Sequence, residues 1–358
     1  MRPSLDAPSA RAVSIGSAEM SASGVLSVRP LGFPWQARDP FLMCAYHHDR
    51  YPAGNADLGP DAPLGGRQLG HDFDGQNGWR MYHGQAVPGF PVHPHVGFET
   101  VTIVIRGRVD HADSMGAAGR FGDGDVQWMT AGRGVQHSEM FPLLDQTREN
   151  ELMLLQIWLN LPRASKQVDP CYSMIWHDEV AEYTTTDELG REAQVRVIAG
   201  EFNTARVTKI PPDSWAADPD NEVAIWLLQL QPGASLTLPA TRREINRDLY
   251  FYQGGEVYID DQCIRSGHAI ALQSDQQCTV RNGDTESQLV LMQGRPINEP
   301  VVFHGPFVVN DENELPAVFD SYQRTQFGGW PWGRTDPTHG SGHRRFARYA
   351  NGNEEQRD

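Results

Sequence analysis

Apolar residues recur along this chain in short runs rather than at helical spacing. The runs are rich in β-branched and aromatic residues and stop at Gly, Pro, Asp or Asn, which is the pattern of strands separated by turns. In the first half they fall at Thr100–Ile105, Val126–Met129 and Leu152–Leu159. In the second half they fall at Val195–Ile198, Val223–Leu228, Leu249–Tyr252, Glu256–Ile259 and Gln288–Met292. One segment, Glu312–Tyr322, has helical spacing: Leu315, Val318, Phe319 and Tyr322 share a face, and Asn310 or Asp311 can cap it. Many short strands at this spacing predict an all-β protein made of sandwiches or barrels.

The halves also resemble one another. Thr102–Val109 and Tyr250–Val257 each run from a strand into a Gly turn, and Gly124-Asp125-Val126 and Gly267-His268-Ala269 each offer a second turn before a new strand. A duplicated barrel leaves such a trace. Boundaries follow from composition. Residues 1–26, Ala- and Ser-rich, read as a loose arm, and residues 27–165 as a first barrel. Residues 166–190, with Pro170 and a mixed polar stretch, read as a linker, and 191–328 as a second barrel. Residues 329–358 turn to Gly, Arg, His, Asp and Asn and read as a poorly packed tail, with Trp330 and Trp332 as its candidate docking points.

Composition narrows the classes. At 358 residues the chain can hold two ordinary domains, and its 39% hydrophobic and 21% charged residues are those of a globular protein. A net charge of −16 without a Lys/Arg block argues against direct nucleic-acid binding. The four cysteines (Cys44, Cys171, Cys263 and Cys278) form no CxxC pair and are expected as small buried hydrophobes. No apolar run approaches 18 residues and no secretory signal is evident, so the expectation is a cytoplasmic location without a membrane span.

The chemistry concentrates in two segments. Phe90-Pro91-Val92-His93-Pro94-His95 carries two histidines two residues apart, and on an extended chain these project from the same face. Gln136-His137-Ser138-Glu139 is a second such pair. On adjacent strands the two pairs supply three imidazoles and a carboxylate and leave coordination positions open, which suits iron, manganese, nickel, copper or zinc. Glu99, four residues after His95, also shares its face on a continuous strand and is a competing carboxylate.

The run His93–Met140 resembles the pirin family, above all in Asp125-Val126-Gln127-Trp128-Met129-Thr130-Ala131-Gly132-Arg133-Gly134-Val135-Gln136-His137-Ser138-Glu139-Met140. Similar segments are His93-Pro94-His95, Gly97-Phe98-Glu99-Thr100-Val101, Arg29-Pro30-Leu31-Gly32, Asp39-Pro40-Phe41-Leu42, Val195–Gly200 and Gly305–Asn310. The resemblance covers most of residues 27–328. It implies a bicupin fold, two β-barrels of the double-stranded jelly-roll type, with one divalent metal in the first. The implied ligands are His93, His95, His137 and Glu139, with iron(II) the first expectation, and Glu99 is not among them. Setting Val257 against Val109 aligns Thr241 and Arg243 with His93 and His95, and Val280 and Asn282 with His137 and Glu139, so no metal is expected in the second barrel. Residues 46–90 add a Gly- and His-rich stretch (His47, His48, His71, His83), read either as a lid over the barrel mouth or as a surface loop.

Activities implied by the resemblance are quercetin 2,3-dioxygenation and metal-dependent transcriptional co-regulation. In the first, a flavonol ligates the metal through its 3-hydroxyl, Glu139 takes the proton as base, and dioxygen opens the heterocycle with release of carbon monoxide. Phe98, Gln127, Met129, Arg133 and Gln156 are the candidates for the surrounding pocket. In the second, the metal stabilises or switches a surface for a protein partner, or acts as a redox sensor. A small aromatic substrate and a protein partner are thus both expected classes.

Overall fold

The computed structural model of this chain describes residues 24–358, with Thr208 and Asp261 excepted. Every strand run expected from the apolar pattern lies within or overlaps an observed strand; Thr100–Ile105 sits inside Phe98–Arg106 and Leu152–Leu159 inside Asn150–Asn160. The helix is Leu315–Thr325, entered through a 3-10 turn whose Asn313 amide is capped by the Asp311 carboxylate. Its Phe319 and Tyr322 rings pack on Phe307. No helix among the described residues is long and apolar enough to cross a membrane.

Two antiparallel sheets form the first barrel. In spatial order one contains Cys171–Ile175, Val126–Thr130, Phe98–Arg106, Asn150–Asn160, Phe41–Tyr51 and Trp35–Gln36. The other contains Glu354–Arg357, Arg345–Arg348, Ala118–Gly122, Arg108–Asp113, Val135–Met140 and Gly89–His95. The second barrel pairs a seven-stranded sheet (Val25–Pro30, His268–Leu272, Asn246–Gln253, Ser287–Gly294, Ala224–Leu230, Glu192–Ala199, Ala181–Thr186) with a four-stranded one (Ser235–Leu238, Cys278–Asn282, Glu256–Ile259, Gln262–Arg265). This is the bicupin arrangement.

The barrels meet through the sheet of the first that carries Phe98–Arg106 and the seven-stranded sheet of the second. Val101, Ile103, Trp128 and Ile157 of the first pack against Ile225, Leu227, Tyr250 and Val290 of the second, and Trp35 stacks on Tyr250 at 5.5 Å. Period-two alternation then fixes what faces inward: with Val101 and Ile103 committed to this junction, Thr100 and Thr102 point into the first barrel.

Three boundary expectations need correction. Val25 and Leu26, assigned to the loose arm, begin a strand that pairs with His268–Leu272 of the second barrel; residues 1–23 of that arm lie outside the described residues. The segment 166–190 is not a linker, because Cys171–Ile175 adds an edge strand to the first barrel and Ala181–Thr186 adds one to the second. Prolines and polar residues are tolerated at and beside sheet edges, so this composition does not separate linker from edge strand.

The tail 329–358 is packed rather than loose. Arg345–Arg348 pairs with Ala118–Gly122, Glu354–Arg357 pairs on top of it, and Ala347 is fully buried. Trp332 Nε1 donates to the Asp113 carbonyl at 2.8 Å, whereas Trp330 Nε1 bonds only within the tail, to the Arg334 carbonyl. Among the cysteines, Cys44 and Cys278 are buried, Cys171 is half-buried, and Cys263 is exposed against expectation.

Candidate metal centre

The centre is built by strand register. Gly89–His95 runs antiparallel to Val135–Met140, with a bulge after Phe90 that sets His93 opposite His137. Arg108–Asp113 flanks the other edge and places His111 opposite Glu139 and Asp113 opposite His137. Directly opposed residues share a face, so all of these side chains enter one barrel interior. The potential ligand atoms of His93, His95 and His137 lie within 4.8 Å of one another, and these three form the converging group among the described residues.

Their nitrogens are prepared for a cation. His93 Nδ1 lies 2.9 Å from the Pro91 carbonyl, which takes its proton and leaves Nε2 as a lone-pair donor. Neither ring nitrogen of His95 or His137 has a hydrogen-bond partner, although both residues are buried. Buried polar atoms are otherwise nearly always satisfied, and a metal ion would satisfy these. Burial lowers the His93 imidazole to about 4 and takes His95 and His137 well below the ordinary value, neighbouring imidazoles adding to the effect. All three are therefore neutral, the form that binds a metal. On this chemistry the residues fit a divalent transition metal.

Glu139 sits beside the cluster, Oε2 lying 3.7 Å from His137 Nε2. Gln156 Nε2 donates to Oε2 at 2.7 Å and Thr102 Oγ1 donates to Oε1 at 3.2 Å. Burial pushes its carboxyl up, opposed by Gln156, the neighbouring His111 and Thr102.

The competing carboxylate is elsewhere. Glu99 was placed on the His95 face by extending one alternation through both residues, but the strand breaks at Val96-Gly97, where Gly97 has φ +84°. Beyond that break Glu99 faces the barrel junction, where Thr130 Oγ1 and Ser214 Oγ donate to it at 2.6 and 2.5 Å. Burial there pushes it up to about 7.

Of the five pocket candidates, four are inside the barrel. Phe98 stacks on Trp158 at 4.2 Å and meets the His95 ring edge-on at 5.0 Å. Gln127 is fully buried opposite Thr102, with neither amide atom partnered. Met129 packs with Ala131 and Val135, and Gln156 holds Glu139. Arg133 does not belong: its side chain is 63% exposed and paired with Asp169, because it lies in the turn between two strands.

Sequence reasoning missed Thr102, Trp158 and His111. Trp158 is two residues from Gln156 and so shares its face, and its ring lies 5.4 Å from His95. His111 and Asp113 are a further i, i+2 pair on a strand, bonded to each other at 3.1 Å. That repeat of the spacing already used for the ligands was the available signal.

The stretch 46–90 divides. Residues up to Tyr51 belong to Phe41–Tyr51, those from Gly89 to the ligand strand, and the loop between them packs on the barrel. Tyr82 OH joins the buried His47 ring and Asp49 at 2.7 and 2.6 Å, and its ring meets Phe90, which reaches His93 at 6.2 Å.

In the second barrel the register corrects the expected alignment. Cys278–Asn282 occupies the place of Val135–Met140, and Val280 lies opposite Leu236 on one side and Ile259 on the other. If Val280 matches His137, then Leu236 and Leu238 match His93 and His95; Thr241 and Arg243 fall beyond the end of that strand. The residues at these places are Leu, Leu, Val and Asn282.

The pirin family model matches residues 34–159, and the model of the pirin C-terminal cupin domain matches residues 225–328. A pirin-like protein of Caulobacter vibrioides is 34% identical over 244 residues, 67% of this chain and 80% of that protein. A Pseudomonas aeruginosa protein named provisionally as a quercetin 2,3-dioxygenase is 30% identical over 239 residues, 67% of this chain and 79% of that protein. Among solved structures, quercetin 2,3-dioxygenase from Acinetobacter baumannii superposes with a TM-score of 0.66 at 24% identity, over 86% of this chain and 99% of its own. Matches to both domains in chain order, and relatives alike over most of their length, make this chain a member of the pirin family.

Proposed function

We propose that this chain is a metal-dependent dioxygenase that opens the heterocycle of a flavonol such as quercetin, with His93, His95, His137 and Glu139 as ligands and iron(II) as the metal. The observation that carries this reading is the set of three converging imidazoles, of which His95 and His137 have both ring nitrogens buried and unpartnered. The names of the Pseudomonas and Acinetobacter relatives support the substrate class.

A bound divalent metal would supply open positions for a substrate oxygen and dioxygen and would acidify the substrate hydroxyl. The chain does the rest. Gln156 fixes Glu139 Oε2, so Oε1, with its longer contact to Thr102, is the atom that receives the hydroxyl proton. Phe98 and Trp158 form an aromatic wall beside His95 on which a planar substrate can stack. The free amide of Gln127 offers a polar handle in an otherwise closed interior.

Aerobic incubation of iron-loaded protein with quercetin should bleach the flavonol absorbance, and His137→Ala should abolish the effect. Bleaching that persists after chelation would remove the basis for the mechanism.

A further inference from the structure

Outside the first barrel, between its Val96-Gly97 and Gly134 turns and the helix Leu315–Thr325, lies a cavity of about 910 Å³. Its volume is that of a small-molecule site, for which roughly 300–1,000 Å³ is usual. The side chains proposed above for the metal centre do not line it. Its wall is partly apolar, with Met115, Val308, Val318 and Phe327, and partly charged, with Lys166, Arg133 (paired with Asp169) and Arg163 (paired with Glu314, which also lines it).

Two of its polar groups are left incomplete by the protein. Lys166 is 4% exposed, and its ammonium donates to the Gly97 carbonyl at 2.6 Å and to Asn160 Oδ1 at 2.7 Å, both neutral. No carboxylate is ion-paired with it among the described residues; Glu299 and Glu314 act on it only at longer range, while Glu314 is bound to Arg163. A buried cation without a counter-charge is costly, and a ligand anion would remove that cost.

Asn310 is the second. It is also 4% exposed and lines the cavity. Its Nδ2 donates to Glu299 Oε2 at 3.1 Å and to the Pro300 carbonyl at 2.9 Å, which fixes the orientation of the amide. That leaves Oδ1 buried with no donor. The backbone amide of Arg163 donates to the same Glu299 oxygen at 2.6 Å, so the acceptor and the cationic end of the cavity are neighbours.

We propose that this cavity binds a small carboxylate that also carries a hydroxyl donor and an apolar body, as a hydroxyaryl carboxylic acid does. The carboxylate faces Lys166 and Arg163, the hydroxyl donates to Asn310 Oδ1, and the ring lies against Val318 and Phe327. The site is separate from the metal centre and does not depend on the dioxygenase reading. Because Lys166 holds the Gly97 carbonyl, an occupant also touches the hinge between the ligand strand and its successor.

Calorimetric titration of the full-length metal-loaded protein with 4-hydroxybenzoate tests this. Binding should be detectable at millimolar concentration or below, and at least about tenfold weaker for 4-hydroxybenzamide, which lacks the charge, and for 4-methoxybenzoate, which lacks the donor. Lys166→Met should weaken binding by a similar factor. Ala317→Trp fills the cavity from an exposed helix position and should abolish binding with metal content unchanged, so it carries the test if the lysine variant fails to fold. No binding to the parent protein, equal binding of the amide, or binding that survives Ala317→Trp each overturns the proposal, the last by assigning the probe to the metal centre or another surface.

Discussion

The two barrels follow one strand plan and differ in what they enclose. In the first, the register places His93 against His137 and flanks them with His111, Asp113 and Glu139. In the second, Leu236 stands against Val280, with Val257 and Ile259 at the flanking places, all within a continuous apolar core. The single polar residue of that set, Asn282, is fully engaged: its two Nδ2 hydrogens are shared among the carbonyls of Leu230, Gln231 and Thr285, and its Oδ1 accepts from the Gly283 amide. The first barrel keeps buried imidazoles and amides without partners, each costing on the order of 1–3 kcal/mol when left unmade. The same architecture thus serves once as a filled core and once as a cage that a cation must complete, and the difference lies in a few inward positions.

Exchanging those positions breaks the comparison most directly. His95→Leu gives the first barrel the residue that the second carries at the matching place. It should reduce bound metal from about one ion per chain to none, read by elemental analysis, with no loss of apo stability because two unpartnered nitrogens are removed. Leu238→Ala in the second barrel should do the reverse, lowering unfolding free energy by about 2–5 kcal/mol while metal content stays constant.

The junction between the barrels provides a pH test. Glu99 has a folded value of about 7, above its unfolded value of roughly 4.3. The folded state therefore holds the extra proton between these values, and the stability this contributes is full below the lower one and lost as pH rises through the upper one. Urea unfolding from pH 4.5 to 8 should show the parent losing up to about 3 kcal/mol relative to Glu99→Gln. A flat difference would mean that the carboxyl is not held as described.

Smallest is the effect of the group that holds Glu139. Gln156→Leu removes the closest donor to Glu139, and chelator competition should show metal affinity lower by about 10–100-fold. An unchanged affinity would separate Glu139 from the centre.

The strands were legible because alternation and turn residues act locally. The His93/His95 and His137/Glu139 pairs were legible for the same reason, since period two puts each on one face. Failures arose where geometry depends on distant chain. Glu99 was misplaced by a single positive-φ glycine that resets the alternation, and Arg133 by a motif that runs through a turn. The edge strand at 171–175 and the added hairpin 345–348/354–357 carry no strong apolar pattern and exist because other strands offer them an edge. Likewise, the second-barrel alignment missed by several residues because the Gly turns it was anchored on do not set the pairing of Ser235–Leu238.

The chain ends cross over. Strand Val25–Pro30 completes the sheet of the second barrel, and the hairpin Arg345–Arg348/Glu354–Arg357 extends the sheet of the first. The buried Arg120–Asp110 pair on the outer face of that sheet is closed over by the backbone carbonyl of Gly340, 220 residues away from Arg120 in sequence. During synthesis, then, the first barrel keeps an open edge at Ala118–Gly122 until residues 345–357 have been made. High contact order of this kind slows folding and leaves the unpaired edge open to other chains.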